Sequence, residues 1–337
     1  MNRRRLSKQQ QARITANQRH RLSGIENPVL DTEAGLSGNG LVVSHYGQML
    51  DVEALDPGPS GKIIRCYQRA NLPDLVTGDT VRWEKESGET GVILALAKRR
   101  NLFSRPGFTG KLKPVAANLD IVVIVVAAFP LPSINLIDRY LVAVASVGMQ
   151  SVLVMNKVDL SGIEHSAGLD RLLSIYSSLG FPLAAVSAKT GQGMQVIKGL
   201  LRSKTAVMVG QSGVGKSSLL NRLGGAELTA TGALSASHNQ GTHITTTARL
   251  FHLAGFDLID SPGIREFELG FVEDEKVVLG FPEIAAQAGM CKFRNCRHES
   301  ETGCAVRQAS IQGQVHPDRL RSYRQIVRSM EVWHRDK

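Results

Sequence analysis

One short segment constrains the fold of this chain more than any other. Residues 210–217 read GQSGVGKS and fit the pattern G-x-x-x-x-G-K-[ST]. The apolar run TAVMV precedes the segment, and the helix-forming sequence SSLLNRL follows it. Because this strand–loop–helix setting agrees with the motif, we interpret the segment as a phosphate-binding P-loop rather than as an ordinary glycine-rich turn. The sequence therefore predicts a nucleotide site in an α/β domain.

Further apolar runs occur on both sides of the P-loop. They read DIVVIVVAA from residue 120, SVLVMNKVD from 151, PLAAVSAK from 182 and FDLIDSPG from 256. Helical patterns at 136–148 and 163–179 separate the earlier runs. Continuous Val/Ile runs alternating with helices predict a parallel sheet that is covered on both faces.

Two of these runs end in motifs suited to guanine. Asp159 in NKVD can accept hydrogen bonds from N1–H and the N2 amino group of guanine, a donor pair that adenine lacks. Asn156 and Lys157 are predicted to brace the loops, and the Ala188 N–H of SAK is predicted to meet guanine O6. Together with the P-loop, these motifs indicate GTP rather than ATP.

At the phosphate end, Lys216 is predicted to reach the β- and γ-phosphates, and Ser217 to bind Mg²⁺. Asp260 of DSPG is predicted to hold the Mg²⁺ hydration shell, and the Gly263 N–H to meet the γ-phosphate. The complete predicted GTP-binding set is Asn156, Lys157, Asp159, Ser187, Ala188, Lys189, Gly210, Gln211, Ser212, Gly213, Val214, Gly215, Lys216, Ser217, Ser218, Thr245, Thr246, Asp260 and Gly263.

The motifs stand in an unusual order. NKVD and SAK precede the P-loop, and DSPG comes last, whereas ordinary GTPases begin with the P-loop. Strand position rather than chain order builds such a site, so a rearrangement of the connections preserves it. We therefore predict a circularly permuted GTPase domain over residues 114–271.

Four potential metal ligands follow within a short segment, Cys291, Cys296, His298 and Cys304. Three thiolates and one imidazole suit tetrahedral Zn²⁺ and leave no open position for a catalytic water. We predict one structural zinc per chain in a mainly helical domain over residues 272–337; the alternative is a set of merely buried thiols. The remaining cysteine, Cys66, is interpreted as a core residue.

The N-terminal third has a different texture. Residues 1–36 are polar and basic, and are interpreted as a disordered arm that either contacts RNA or is simply solvated. Residues 37–113 carry short β-rich runs separated by turns, which predict a small antiparallel barrel. Arg65, Arg69 and Arg82 in the barrel are candidate RNA contacts, or else ordinary solvated charges.

Charge and hydropathy limit the classes of protein to which this chain can belong. The formal net charge is +10, and both ends of the chain are basic, which suggests a polyanionic partner. The longest apolar run, Ile121–Pro130, is far shorter than the roughly 20 residues that cross a bilayer. With four cysteines and no apolar stretch after Met1, we expect a cytoplasmic protein with no membrane partner.

The permuted motif order, the segments HITTTARLFHL and LIDSPGIREF, the barrel region and the Cys/His cluster together resemble the ribosome small subunit-dependent GTPase A family of bacteria over about residues 38–330. The resemblance implies an OB-type barrel, a permuted GTPase domain and a zinc-binding C-terminal domain. It also implies a monomer that binds the small (30S) ribosomal subunit and its rRNA during late assembly, and whose GTP hydrolysis the subunit stimulates.

The residue that positions water is less evident. Ras-like enzymes carry Gln after D-x-x-G, but Ile264 stands there and cannot hydrogen-bond water. His243 matches the family's switch histidine and is the catalytic candidate; the alternative is a solvated loop residue. The Mg²⁺-binding threonine is either Thr245 or Thr246, and Thr246 is preferred.

Two other classes of function remain to be weighed. One is a nucleotide-sensing RNA-binding module with negligible turnover, which intact Lys216, Ser217 and Asp260 disfavour. The other is a zinc hydrolase, which the closed set of four ligands disfavours.

Overall fold

The structure is a computed structural model of the chain, and it describes residues 37–55, 61–86, 89–106, 112–160, 163–225, 248–260 and 272–335. The chain divides into two compact units. Of the described residues, the first unit contains 37–103, 114–119 and 248–251, and the second contains the others. The predicted arm, residues 1–36, lies outside the described residues. The predicted domain limits stay predictions.

The first unit is built on five strands, β1 (Ser37–Tyr46), β2 (Met49–Ala54), β3 (Ile63–Gln68), β4 (Thr80–Lys85) and β5 (Thr90–Leu96). They are hydrogen-bonded in the order β1-β2-β3-β5-β4, and β4 also pairs with β1, which closes a barrel. All pairings are antiparallel except β3 with β5. This five-stranded barrel confirms the prediction from the short, turn-separated runs.

Side chains alternate between the barrel interior and its surface, as a period of two requires. In β2 and β3, Val52, Ile64 and Cys66 are buried beside Trp83 of β4. Cys66 is thus a core residue, as predicted, and burial raises the pKa of its thiol to about 12. This thiol remains protonated at neutral pH.

The second unit contains a parallel sheet. Its strands, in spatial order, are β10 (Leu183–Ala185), β9 (Gln150–Asn156), β8 (Ile121–Ala127), β11 (Thr205–Val209) and β13 (Phe256–Asp260). All four neighbouring pairs are parallel. Every residue of β8 is buried, as expected for a central strand with both faces covered. The predicted α/β domain is confirmed.

Helices follow the strands in the predicted places. They are α1 (Ile134–Ser146), α2 (Ile163–Ser178), α3 (Met194–Leu201), α4 (216–225), α5 (Pro282–Ala288), α6 (Ala305–Ile311) and α7 (Pro317–Arg335), with 3₁₀ turns at Val158–Leu160 and Asp274–Gly280. Helix α1 begins two residues before the predicted start because the Ser133 hydroxyl caps it, accepting from the Leu136 N–H at 3.2 Å.

Three further strands belong neither to the barrel nor to the five parallel strands. They are β6 (Leu102–Pro106), β7 (Leu112–Ala117) and β12 (Arg249–Leu253). Among the described helices, none combines the length and apolar character that a membrane span needs.

Candidate nucleotide and metal sites

The predicted guanine and phosphate motifs meet at one edge of the parallel sheet. The registers pair Ala127 with Asn156, Met155 with Ala185, and Met208 with Asp260. Because the strands are parallel, their carboxyl ends lie at the same edge, where ligands bind in open α/β sheets. NKVD, SAK, the P-loop and Asp260 are therefore neighbours in space although they are far apart in the chain.

The P-loop backbone requires glycine at two positions. Gly210 has φ +147°, and a Cβ built there would lie 2.1 Å from the Val125 carbonyl oxygen. Gly215 has φ +93°, and its Cβ would lie 2.4 Å from the Asn156 amide nitrogen. Lys216, the first residue of α4, donates to the carbonyl oxygens of Gly210 at 2.7 Å and Gln211 at 2.9 Å. The loop thus curls around the Lys216 ammonium group.

One buried amide joins the two halves of the site. The Asn156 side chain donates to the Val214 carbonyl oxygen at 2.9 Å, and its oxygen accepts from the Ala188 N–H at 3.1 Å. Asn156 therefore ties the P-loop to the SAK segment. The Ala188 N–H, which we predicted for guanine O6, is directed at Asn156 in this structure. Lys157 follows with φ +63°, a left-handed turn directly after the strand.

The Asp159 carboxylate is oriented by a serine of the SAK segment. The Ser187 hydroxyl donates to Asp159 Oδ1 at 2.6 Å and accepts from the Thr190 N–H at 3.1 Å. Ser187 is fully buried, whereas Asp159 and Lys189 are exposed. The arrangement supports a carboxylate that faces a ligand; which ligand it binds stays a prediction.

Asp260 marks the phosphate end of the edge. It is the last residue of β13, and burial raises the pKa of its carboxyl while the positive charge of Lys216 lowers it. The charge of Lys216 thus acts on the Asp260 carboxyl. The remaining predicted residues, His243, Thr245, Thr246 and Gly263, lie outside the described residues, and their roles stay predictions.

The four predicted metal ligands come together in the second unit. Their ligating atoms all lie within 4.8 Å of one another. His298 Nδ1 is 3.5 Å from Cys291 Sγ and 3.4 Å from Cys304 Sγ, and the latter two sulfurs are 4.0 Å apart. Tetrahedral zinc places its sulfur and nitrogen ligands about 3.5–3.8 Å from one another. The donor set therefore fits a four-coordinate metal ion, and burial lowers the pKa of His298, which favours the neutral imidazole that ligates metals.

Comparison with known proteins agrees with this geometry. The family model described as RsgA GTPase matches residues 96–270, slightly more than half of the chain. The chain belongs to the RsgA GTPase family. This confirms the resemblance drawn from the permuted motifs.

Similar proteins extend the match over nearly the full length. A relative from Marinobacter nauticus, named Small ribosomal subunit biogenesis GTPase RsgA, is 46% identical over 340 residues, which cover 98% of this chain and 97% of the relative. The crystal structure of YjeQ from Thermotoga maritima is 32% identical with a TM-score of 0.70, covering 88% of this chain and 99% of that one. The crystal structure of YloQ, described as a circularly permuted GTPase, is 27% identical with a TM-score of 0.68, covering 90% and 98%. The circularly permuted fold predicted from motif order is confirmed.

Two residues that support the metal cluster of this RsgA GTPase family member were missed in the sequence. The half-buried Glu301 carboxylate accepts from the backbone N–H groups of Arg297 at 2.7 Å, Glu299 at 2.8 Å and Ser300 at 3.0 Å. Backbone hydrogen bonds, its own amide first, lower the pKa of Glu301 to about 2. Arg324 of α7 donates to the carbonyl oxygen of the ligand His298. Neither residue belongs to a sequence motif, since each binds backbone atoms, which every residue has.

Proposed function

We propose that this chain is a GTPase that binds the small ribosomal subunit, acts in its late assembly, and hydrolyses GTP to GDP and phosphate with stimulation by the subunit. The observation that carries the proposal is the Asn156 bridge, which joins the P-loop to the SAK segment beside a serine-held Asp159. Membership of the RsgA GTPase family supports both the reaction and the ribosomal partner.

Guanine recognition rests on the Asp159 carboxylate. Ser187 takes one hydrogen-bonding position on Oδ1, and the carboxylate has further lone pairs for N1–H and the N2 amino group of guanine. A carboxylate that a bound base covers without supplying such donors is costly, so an adenine nucleotide is rejected. Asn156, Lys157, Ala188 and Lys189 complete the base end of the site.

Phosphate binding rests on the P-loop and α4. Backbone N–H groups of residues 210–218 surround the phosphates, and the Lys216 ammonium group exchanges its loop carbonyls for phosphate oxygens. Mg²⁺ bound with GTP would neutralise charge on the phosphate oxygens; Ser217 and Thr246 would hold it directly, and Asp260 would hold its hydration shell. Asp260 is half-buried, and the positive charge of Lys216 favours its ionised form.

Hydrolysis needs a group that orients water, and His243 supplies it in this proposal. Ile264 has no hydrogen-bonding group, so the unstimulated rate is low. Binding to the subunit orders the loop that carries His243 and thereby raises the rate.

The Cys291, Cys296, His298 and Cys304 cluster holds one structural zinc. Its four ligands would fill the coordination positions of a zinc ion, which supports folding of the C-terminal region rather than a hydrolytic reaction. The zinc-hydrolase alternative therefore receives no support.

The partner is the small subunit with its rRNA, and the monomeric protein works in the cytoplasm. A net charge of +10 supports association with RNA phosphates. Of the candidate barrel contacts, Arg65 forms an ion pair with Asp51 at 2.9 Å and lies 5.5 Å above the Tyr46 ring, so its charge is already balanced within the barrel. Arg69 and Arg82 remain proposed contacts.

GTP turnover with and without purified small subunits tests the proposal. We expect slow turnover alone and faster turnover with subunits, and a Lys216→Ala variant that is deficient in both nucleotide binding and turnover. Subunit binding with no turnover under either condition would instead identify a nucleotide-sensing RNA-binding module.

A further inference from the structure

Arg319 of α7 is a fully buried cation at the junction of four elements. Its guanidinium donates to Asp138 of α1, to both carboxylate oxygens of Glu283 of α5 at 2.8 and 3.2 Å, and to the carbonyl oxygen of Gly280 at 2.9 Å. The fourth element is α2, whose Tyr176 donates its hydroxyl to Asp138 Oδ1 at 2.6 Å. One side chain thus joins helices that are up to 181 residues apart in the chain.

Aromatic rings enclose the same guanidinium. Its central carbon lies 4.2 Å from the centre of the Phe281 ring, 5.5 Å from Tyr176 and 5.8 Å from Phe181. Next to it, Gly280 is seated so closely on α1 that a Cβ would lie 2.6 Å from a Val142 methyl group. The segment that ends in Gly280 is therefore fixed against α1 by both packing and Arg319.

Stability alone does not account for an arginine here. Removing a guanidinium and two carboxylates from water costs several kcal/mol per ion, and well-packed apolar side chains often serve a core equally well. What apolar side chains lack is directional bonding. Arg319 specifies one relative placement of α1, α5, α7 and Gly280.

Both ends of this connection lead to functional parts of the molecule. Residues 272–283 come after the DSPG motif in the chain, separated from it by residues 264–271, and they contain the Gly280 and Glu283 contacts of Arg319. On the other side, α7 also carries Arg324, which donates to the His298 carbonyl oxygen, and Arg328, which pairs with Glu299 at 2.8 Å. The same helix therefore holds the chain that follows the phosphate edge and the loop of the metal cluster.

We propose that Arg319 is a positioning residue that couples the state of the bound nucleotide to the affinity of the protein for the small ribosomal subunit. The inference rests on the proposed function. A displacement of residues 272–283 moves Gly280 and Glu283, Arg319 passes it to α7, and α7 carries it to the loop of the metal cluster. Because coupling is reciprocal, binding of the subunit biases the phosphate end by the same factor.

The test is the ratio of two dissociation constants for purified small subunits, one measured with GDP and one with a non-hydrolysable GTP analogue. For the parent protein we expect a ratio within the usual range of about 5- to 150-fold. The Arg319→Lys substitution keeps the positive charge but loses the planar guanidinium group that binds Glu283 and Gly280 at the same time. The ratio of dissociation constants for this variant should therefore fall to about one. Affinity of the free variant for either nucleotide should stay within about twofold of the parent.

The matched control is Arg321→Gln, which removes a positive charge from the exposed side of the same helix. It should leave the ratio unchanged even if it weakens binding to the subunit in both nucleotide states. If the Arg319→Lys variant loses its metal or no longer unfolds cooperatively, the Asp138→Asn variant replaces it in the test. This substitution breaks the same hydrogen-bond network with a side chain of the same shape. The expected ratio of dissociation constants is again about one.

Equal losses of affinity in both nucleotide states, with the parent ratio retained in the Arg319→Lys or Asp138→Asn variant, would mean that the network is only structural and would overturn the inference. A parent ratio near one would also overturn the inference, whereas a parent protein that binds the subunit in neither nucleotide state would overturn the proposed function. The two failures are distinguished by the parent protein alone.

Discussion

The nucleotide edge and the metal cluster both place several polar groups around one ligand, but they do so in different ways. At the nucleotide edge, buried parallel strands fix Asn156 and Asp260, and the ligand-facing groups project from a scaffold that already has its own core. At the metal cluster, the 12 residues between the first and last ligand contain no helix or strand, and backbone hydrogen bonds to Glu301 shape the loop. The first site should survive the loss of a ligand-binding group, whereas the second should not.

The largest effect is expected for Cys304→Ser. Cys304 is buried, ligates the proposed zinc and caps α6 by accepting from the Arg307 N–H at 3.4 Å. Removal of a thiolate ligand should abolish stoichiometric zinc and unfold the loop, because metal binding supplies the folding free energy of such a segment. Elemental analysis and hydrogen exchange over residues 291–311 check this.

Lys216→Ala is the opposite control for that variant, because it should bind zinc normally and lose the nucleotide. Normal zinc content and normal loop protection in Cys304→Ser would remove the distinction between the two sites.

Asp159→Asn should lower GTP affinity by about 10³-fold, since the substituted amide presents a donor where guanine also donates. Xanthine nucleotides should bind better than guanine nucleotides, because the amide can donate to the xanthine O2. Equilibrium binding of both nucleotides measures the change. The melting temperature should stay close to that of the parent, because the sheet does not depend on this carboxylate; retained guanine preference would refute the assignment of Asp159.

His243→Ala should reduce the subunit-stimulated turnover by about 10²-fold while GTP binding stays near the parent value, the pattern of an interaction made only in the transition state. Single-turnover hydrolysis with saturating subunits is the appropriate measurement. Stimulation equal to that of the parent would mean that a ribosomal group or backbone atoms position the attacking water. The phosphate-binding assignments would stand.

The smallest effect is expected for Glu301→Gln, which should weaken zinc binding by about tenfold, as is usual for residues that support metal ligands. Because the pKa of Glu301 is lowered to about 2, its carboxylate contributes fully above the ordinary glutamate pKa and loses this contribution only as the pH falls toward 2. The difference from the parent in a chelator competition should therefore be constant between about pH 6 and 8.

Glu299→Gln is the matched control, because it removes a charge from the same loop but only an exposed ion pair with Arg328. Equal effects of the two substitutions would attribute the result to net charge rather than to the backbone contacts of Glu301.

Local patterns in the sequence predicted the sheet and its motifs because each depends on nearby residues. The Val/Ile run of β8 is buried along its whole length, and the glycines at 210 and 215 occupy conformations and contacts that exclude other residues. Helix α2 likewise begins at the predicted residue. The metal ligands were predictable for the same reason, since their spacing is short.

Contacts between distant segments were not predictable in this way. Arg319 and Arg324 belong to an arginine-rich helix, and in the sequence they are indistinguishable from the exposed Arg321 and Arg328. Their roles depend on partners such as Asp138 and the His298 carbonyl, which only the packing of α7 brings close. A backbone carbonyl also leaves no trace in the residue type of the segment that provides it.

The order of strands in the parallel sheet has a consequence for how the protein is made. Strands β8, β9 and β10 emerge first from the translating ribosome and are adjacent in the sheet, while β11 and β13 come later and extend it at the β8 side. Among these five parallel strands, none has to insert between two earlier ones. The nascent chain can therefore form the base-binding half of the site first and then add the phosphate-binding half at the edge of β8. The permuted order of the motifs in the chain is thus also an order of assembly.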